Sequence, residues 1–153
     1  MSITVRLQEL GITLPPPPKA VAAYVPAVVS GRLCFTSGQL PFVDGRLLAE
    51  GRVGGEVTPE DAYQAARQAA LNALSVAAQA AGGVDRLKRV VKVVGFVQST
   101  DDFHGQPQVI NGASELFESV FGEAGRHARS AVGTNALPLN AAVEVECIFE
   151  IGD

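Results

Sequence analysis

The residues of this chain best suited to chemistry are Arg129 and Glu144, in the stretch GRHARSAVGTNALPLNAAVEVECIFEI from Gly125 to Ile151. The stretch reads as two strands joined by a turn, with Arg129 entering the first strand and Glu144 the second. The second strand alternates. Val143, Val145, Cys147, Phe149 and Ile151 fall on one face, and Glu144, Glu146, Ile148 and Glu150 on the other. Asn135 to Ala141 carries the Asn and Pro residues that end one strand and re-aim the next. A guanidinium is a planar donor fork that matches a carboxylate, and a carboxylate facing it can orient or deprotonate water. A fixed cation opposite a strand-borne carboxylate could therefore bind and hydrolyse a small anionic substrate. Both residue types also serve structural ends. An arginine can pair with a glutamate of its own sheet, and a strand glutamate can face solvent, which is how Glu146 and Glu150 are read.

Other chemistries lack their parts. His104 and His127 fall in loops with no partner pattern and are read as solvent-exposed spectators. No Ser–His–Asp or Cys–His arrangement is evident. Gly51 to Gly55 (GRVGG) lacks the Lys-Ser/Thr that a phosphate loop needs. Cys34 and Cys147 each sit in an apolar, strand-like run without metal-ligand spacing, so they are read as reduced core residues of a cytosolic protein.

The 153 residues suit one domain. Hydrophobic residues make up 47% and the mean hydropathy is +0.21, high for a soluble chain. No stretch spans a membrane, because the apolar run from Ala65 to Ala81 is interrupted by Arg67, Gln68, Asn72 and Gln79. The surplus apolar surface is expected to be buried between subunits. The net charge of −4 and the lack of a basic stripe argue against a nucleic-acid binder. The short cluster Arg86, Lys88, Arg89, Lys92 is read as a solvated strand edge. The start, MSITVRLQEL, lacks a signal-peptide pattern.

The elements around the pair follow from local signals. Ser2 to Leu10 predicts a short helix closed by Gly11, and Pro15 to Pro18 an extended spacer laid across the surface. Residues 1–19 form an N-terminal arm and 20–153 the domain. Tyr24 to Ser30 and Arg32 to Ser37 predict a hairpin around Ser30-Gly31. Gly38 would let the backbone approach a ligand or another chain closely. Asp44-Gly45 predicts a tight turn, followed by a short strand over Arg46 to Ala49. Thr58-Pro59-Glu60-Asp61 predicts a helix start, and Gly82-Gly83 its end near Ala81. The helix carries an apolar stripe of Ala62, Ala66, Ala69, Ala73, Val76, Ala77 and Ala80. Lys88 to Ser99 predicts a strand with Val91, Val93 and Val97 on one face and Val90, Val94 and Phe96 on the other, hence a strand covered on both faces. A second helix is predicted over about Pro107 to Phe121. The sum is hairpin, helix, strand, helix, hairpin: an α+β fold with two helices on one face of a mixed sheet.

LCFTSGQLP at Leu33 to Pro41, the Ala-rich helix, VVKVVGFV, and ARSAVGTNALPLNAAVEVE at Ala128 to Glu146 together resemble the RidA/YjgF family, also called the reactive-intermediate deaminase or endoribonuclease L-PSP family. The resemblance runs from about Ala20 to the C-terminus, in order and spacing. It implies a chorismate-mutase-like fold and a homotrimer with a barrel-like centre and a cleft between each pair of subunits. The implied activity is hydrolysis of 2-aminoacrylate-like enamines and imines to 2-keto acids and ammonia, with no cofactor and no metal. The implied partner is a small 2-imino or 2-keto acid, with neither nucleic acid nor membrane, in the cytoplasm. Position by position, Arg129 matches the arginine that binds the substrate carboxylate and Glu144 the glutamate that holds the water. Tyr24 matches an aromatic lining residue, Ser37 a cleft hydroxyl and Asn111 a supporting position. Ala131 stands where many deaminating members have Cys, at a position that would act through its backbone. Two other readings stay open: a trimer that binds a small carboxylate for regulation without turning it over, and a ribonuclease or translation inhibitor, which the acidic balance disfavours.

Overall fold

Thr58 accepts the amide of Asp61 in its side chain at 3.1 Å, and Pro59 follows at the first helical position, so the long helix α2 (Pro59–Ala81) starts where its cap dictates. Gly82, at φ 89°, ends it in the left-handed conformation. In a computed structural model that describes residues 2–18 and 23–153, α2 is the buried spine of the chain. Ala62, Ala66, Ala69, Ala73, Val76 and Ala77 are buried as the periodicity requires, whereas Ala80 is exposed.

Before α2 come α1 (Ile3–Glu9), β1 (Ala27–Ser30), β2 (Leu33–Thr36), β3 (Phe42–Val43) and β4 (Arg46–Leu47). After it come β5 (Leu87–Gln98), α3 (Gln106–Phe121), β6 (Ala128–Thr134) and β7 (Val143–Ile151). β1 and β2 form the expected hairpin around Gly31. β3 and β4 form a second one, in which Asp44 (φ 51°) and Gly45 (φ 79°) both take positive φ, as a tight two-residue turn demands. Among the described residues no helix is long and apolar enough to cross a membrane.

Five strands make one mixed sheet in the order β1-β2-β7-β5-β6, with β5–β6 parallel and the other pairs antiparallel. β6 and β7 are therefore not the hairpin that the sequence predicts, because β5 lies between them. A parallel partner needs a crossover, and α3 supplies it between β5 and β6. The linker from β6 to β7 must then pass the end of β5. Gln98 at that end holds it, donating through Nε2 to Asn140 Oδ1 (2.8 Å) and Gly51 O (2.9 Å) and accepting Leu137 N at Oε1 (2.7 Å).

Both long helices pack on one face of the sheet, as predicted. α3 can lie close to its neighbours because Gly112 meets the α2 backbone at Tyr63 and Gly95 of β5 meets Ile110; a methyl group at either would overlap them. Phe117, Phe149, Leu74, Leu87 and Ile110 are fully buried between the layers, and each such side chain contributes about 1.5–3 kcal/mol relative to exposure. The face assignment of β5 needs one correction. Val90, Val93 and Val97 are buried on the helix side, while Val91 is half-buried, because a bulge between Val90 and Lys92 interrupts the strict alternation.

The arm crosses the back of the helices. Thr4 bonds Asp85 through backbone N (2.9 Å) and hydroxyl (2.7 Å), and Ile12 and Leu14 pack against the core. The boundary placed between residues 19 and 20 lies outside the described residues.

Candidate active site

β6 is an edge strand, and alternation along it sends Arg129 and Ala131 toward the helices and Ala128, Ser130 and Val132 away from them. Arg129 reaches α3, where Asn111 and Ser114 stand about one turn apart. Its Nη1 donates to Asn111 Oδ1 at 2.8 Å and to Ser114 Oγ at 3.1 Å. Within the described residues Nε and Nη2 have no hydrogen-bond partner. An Nη carries two hydrogens, so both bonds on Nη1 leave the Nε–H/Nη2–H edge as the fork that can take a carboxylate. Around the guanidinium is an open cleft of about 500 Å³ lined by Asn111, Ser114, Glu115, Glu118, Arg126 and His127, among others.

The sequence reads His127 as an exposed loop spectator, and here the structure differs. Its ring is half-buried, packs edge-on to Phe117 (centroids 6.1 Å apart, planes at 89°) and bonds Gly125 O through Nδ1 at 2.6 Å and Ser114 Oγ through Nε2 at 2.9 Å. Burial lowers its pKa below the usual histidine value and the Arg129 charge adds to this, against the opposing bond to Gly125. The available signal was the two-residue spacing from His127 to Arg129, which puts both on one face of an extended segment. His104, by contrast, is exposed, as read.

Glu144 lies on the other face. It is the register partner of Phe96 on β5, where Arg129 is the partner of Val93, and the two β5 residues point to opposite sides. Within one chain the arginine is therefore not opposite the glutamate, and the facing arrangement read from the sequence fails. The physical reason is the intervening β5 strand: it sets the faces of β6 and β7 separately, which no hairpin does. Burial raises the Glu144 pKa above the usual carboxylate value, with a smaller contribution from Glu146.

Beside Glu144 runs the segment after β2. Gln39 exchanges backbone bonds with Val145 (2.7 and 2.9 Å), which lays Gly38 against the glutamate side chain. Ser37 donates its hydroxyl to Val25 O at 2.7 Å, leaving only lone pairs for a ligand. Tyr24 precedes β1, the edge strand farthest from β6, and is 58% exposed. The residues thus fall into two separate clusters: Arg129, Asn111 and Ala131 at one edge, and Glu144, Gly38 and Ser37 on the outer face. That face also carries apolar Val28, Phe35 and Val132, each more than a third exposed, with Val94, Phe96 and Ile148 half-buried among them.

Comparison with known proteins identifies the family. The family described as "YjgF/chorismate mutase-like, putative endoribonuclease" matches residues 4–151. Protein TCP17 of Trypanosoma cruzi is 45% identical over 152 residues, covering 99% of this chain and 95% of that protein. The 2-iminobutanoate/2-iminopropanoate deaminase of Dermatophagoides farinae is 33% identical over 140 residues, covering 92% and 94%. The crystal structure of Atu1372 from Agrobacterium tumefaciens, a protein of unknown function, superposes with a TM-score of 0.89 at 47% identity, covering 98% of this chain and 92% of that one. The mixed sheet backed by helices is the chorismate-mutase-like fold of that family. This chain belongs to the RidA/YjgF family.

Proposed function

We propose that this protein hydrolyses small 2-imino acids to 2-keto acids and ammonia, at a site that two copies of the chain complete. One observation carries the reading. Nη1 of Arg129 is held by Asn111 and Ser114, Nε and Nη2 make no hydrogen bond among the described residues, and the guanidinium lines an open cleft. That is a preformed receptor for a small carboxylate. The 33% identity to a 2-iminobutanoate/2-iminopropanoate deaminase supports the substrate class.

The chemistry uses the half-sites in turn. The substrate carboxylate docks on Nε–H and Nη2–H of Arg129. Glu144 of a neighbouring copy holds a water, and its burial makes it a better base than an ordinary glutamate. The water oxygen bonds to C2 as the C=N π pair moves onto nitrogen, and Glu144 takes the proton. The substrate reacts as the iminium, so the attack leaves a neutral amine; returned to that nitrogen, the proton makes it an ammonium. The C–N bond then breaks as the carbinolamine O–H pair becomes the C=O bond, the hydroxyl proton passes to the Glu144 carboxylate, and ammonia leaves. No step uses a thiol, so Ala131 in place of Cys is compatible with turnover. The separation of Arg129 and Glu144 onto opposite faces, and the exposed apolar outer face, support assembly into the trimer that the family resemblance implies.

The same alanine favours a second reading, in which the cleft binds a small carboxylate for regulation without turning it over. A coupled amino-acid-oxidase assay decides, with 2-imino acids generated in situ and trapped by semicarbazide. Turnover that Arg129→Ala abolishes, with the oligomer intact, is the expected result. Unchanged turnover in that variant overturns the proposal, and binding without turnover in the parent moves the protein to the second reading.

A further inference from the structure

The hydrogen bonds around Arg129 form a chain with one direction. A carbonyl oxygen only accepts, so Gly125 O requires the proton on His127 Nδ1. In the neutral ring Nε2 is then an acceptor, and the hydroxyl of Ser114 donates to it. That spends the one Ser114 proton and turns an oxygen lone pair toward Arg129 Nη1, which donates to it at 3.1 Å. The order Arg129 → Ser114 → His127 → Gly125 is self-consistent, and every donor in it is used once. Neither Ser114 nor His127 takes part in the proposed hydrolysis.

We propose that Ser114 and His127 are positioning residues: the Nδ1–H tautomer of His127 sets the Ser114 hydroxyl, which with Asn111 holds the guanidinium so that its Nε–H/Nη2–H edge faces the cleft. The proposal rests on the reading of Arg129 as a carboxylate receptor. Protonation of the imidazole reverses the arrangement. Nε2 becomes a donor, Ser114 can no longer donate to it, and an imidazolium stands one hydroxyl away from a guanidinium. Charged groups on the surrounding elements are few. Glu115 and Glu118 come from α3, with Glu118 already 3.6 Å from Arg126 in an ion pair, and Arg126 and Arg129 flank the ring in its own segment. Lys92, the register partner of Ala128, is on the opposite face. Burial of the ring, with the Arg129 charge beside it, favours the neutral imidazole against the opposing bond to Gly125. Carboxylate binding should therefore weaken as the pH falls through the His127 transition.

The test compares Ser114→Ala, His127→Phe and His127→Gln in the full chain. Phe keeps the edge contact with Phe117 and lacks the acceptor, whereas Gln restores an oxygen that can accept from Ser114. 2-Oxobutanoate binding by calorimetry should weaken about tenfold in Ser114→Ala and His127→Phe, in line with loss of one bond to a charged group. His127→Gln should stay within about threefold of the parent by the same measure and lose the acid limb of the binding profile. In the kinetics KM should rise more than kcat falls. Nitrogen NMR of the ligand-free protein gives a readout independent of substrate. His127 should show the Nδ1–H tautomer, and the separate Arg129 Nη signals expected of a clamped guanidinium should merge in Ser114→Ala and His127→Phe. A parent that binds no keto acid but shows these NMR signatures rejects the receptor reading and leaves the clamp standing. Unchanged Arg129 signals in both variants, or an unchanged acid limb in His127→Gln, overturns the proposal.

Discussion

Gly38 lies against the carboxylate of Glu144: a methyl group at position 38 would overlap Oε2 and crowd Cδ. The glycine leaves room for the side chain proposed to hold the attacking water, and the obstacle would be the far end of a flexible side chain, so the glutamate can swing aside. Gly38→Ala should accordingly leave folding nearly unchanged while kcat drops at least tenfold, about 1.4 kcal/mol of barrier. Paired thermal melts and steady-state kinetics measure this. A Tm loss with full activity would contradict it.

Glu144 also carries a stability cost. Its folded pKa is raised above the unfolded value, so the folded state holds the proton more tightly than the unfolded chain does. The stability associated with this group is complete below the ordinary glutamate pKa and is lost as the pH rises through the raised value. Glu144→Gln should match the parent at acid pH and exceed it in Tm at neutral pH, while turnover disappears. Melting curves from pH 4 to 8 would show the two profiles diverging; parallel profiles would count against the assignment.

The outer face of the sheet is proposed to be covered by neighbouring copies, and Phe35, 39% exposed there, tests this. Phe35→Asp would place a charge in that contact without touching the helix-side core. Light scattering should register a smaller assembly, circular dichroism an intact fold, and the assay no deamination, since neither half-site works alone. An unchanged mass would refute the coverage.

At Gly112 the expectation is opposite in kind. A methyl group there would overlap the Tyr63 carbonyl, and α2 and α3 cannot yield as a side chain can. Overpacking costs about 1–3 kcal/mol and more against backbone, so Gly112→Ala should lower Tm by roughly 4 °C or more. Calorimetry with a near-parental value would indicate that the helices sit farther apart.

Local rules made much of this protein legible in the chain itself. The Thr58-Pro59 start and Gly82 end of α2, the Asp44-Gly45 turn, the alternation of β7 and the α+β class follow from neighbours a few residues apart, where capping, turn chemistry and periodicity operate. The motifs around Arg129 and Glu144 named the family for the same reason: they are contiguous. Tertiary structure alone decided what depends on distant pairing. It inserted β5 between β6 and β7, which turned a presumed facing pair into residues on opposite sides of the sheet. The bulge in β5 exchanged Val90 for Val91, because one extra residue inverts a period-two pattern without a mark in composition. His127 bonds a carbonyl two residues away, but its half-burial and its bond to Ser114 come from α3 packed beside β6, and apart from its spacing to Arg129 a loop histidine carries no sign of that helix partner.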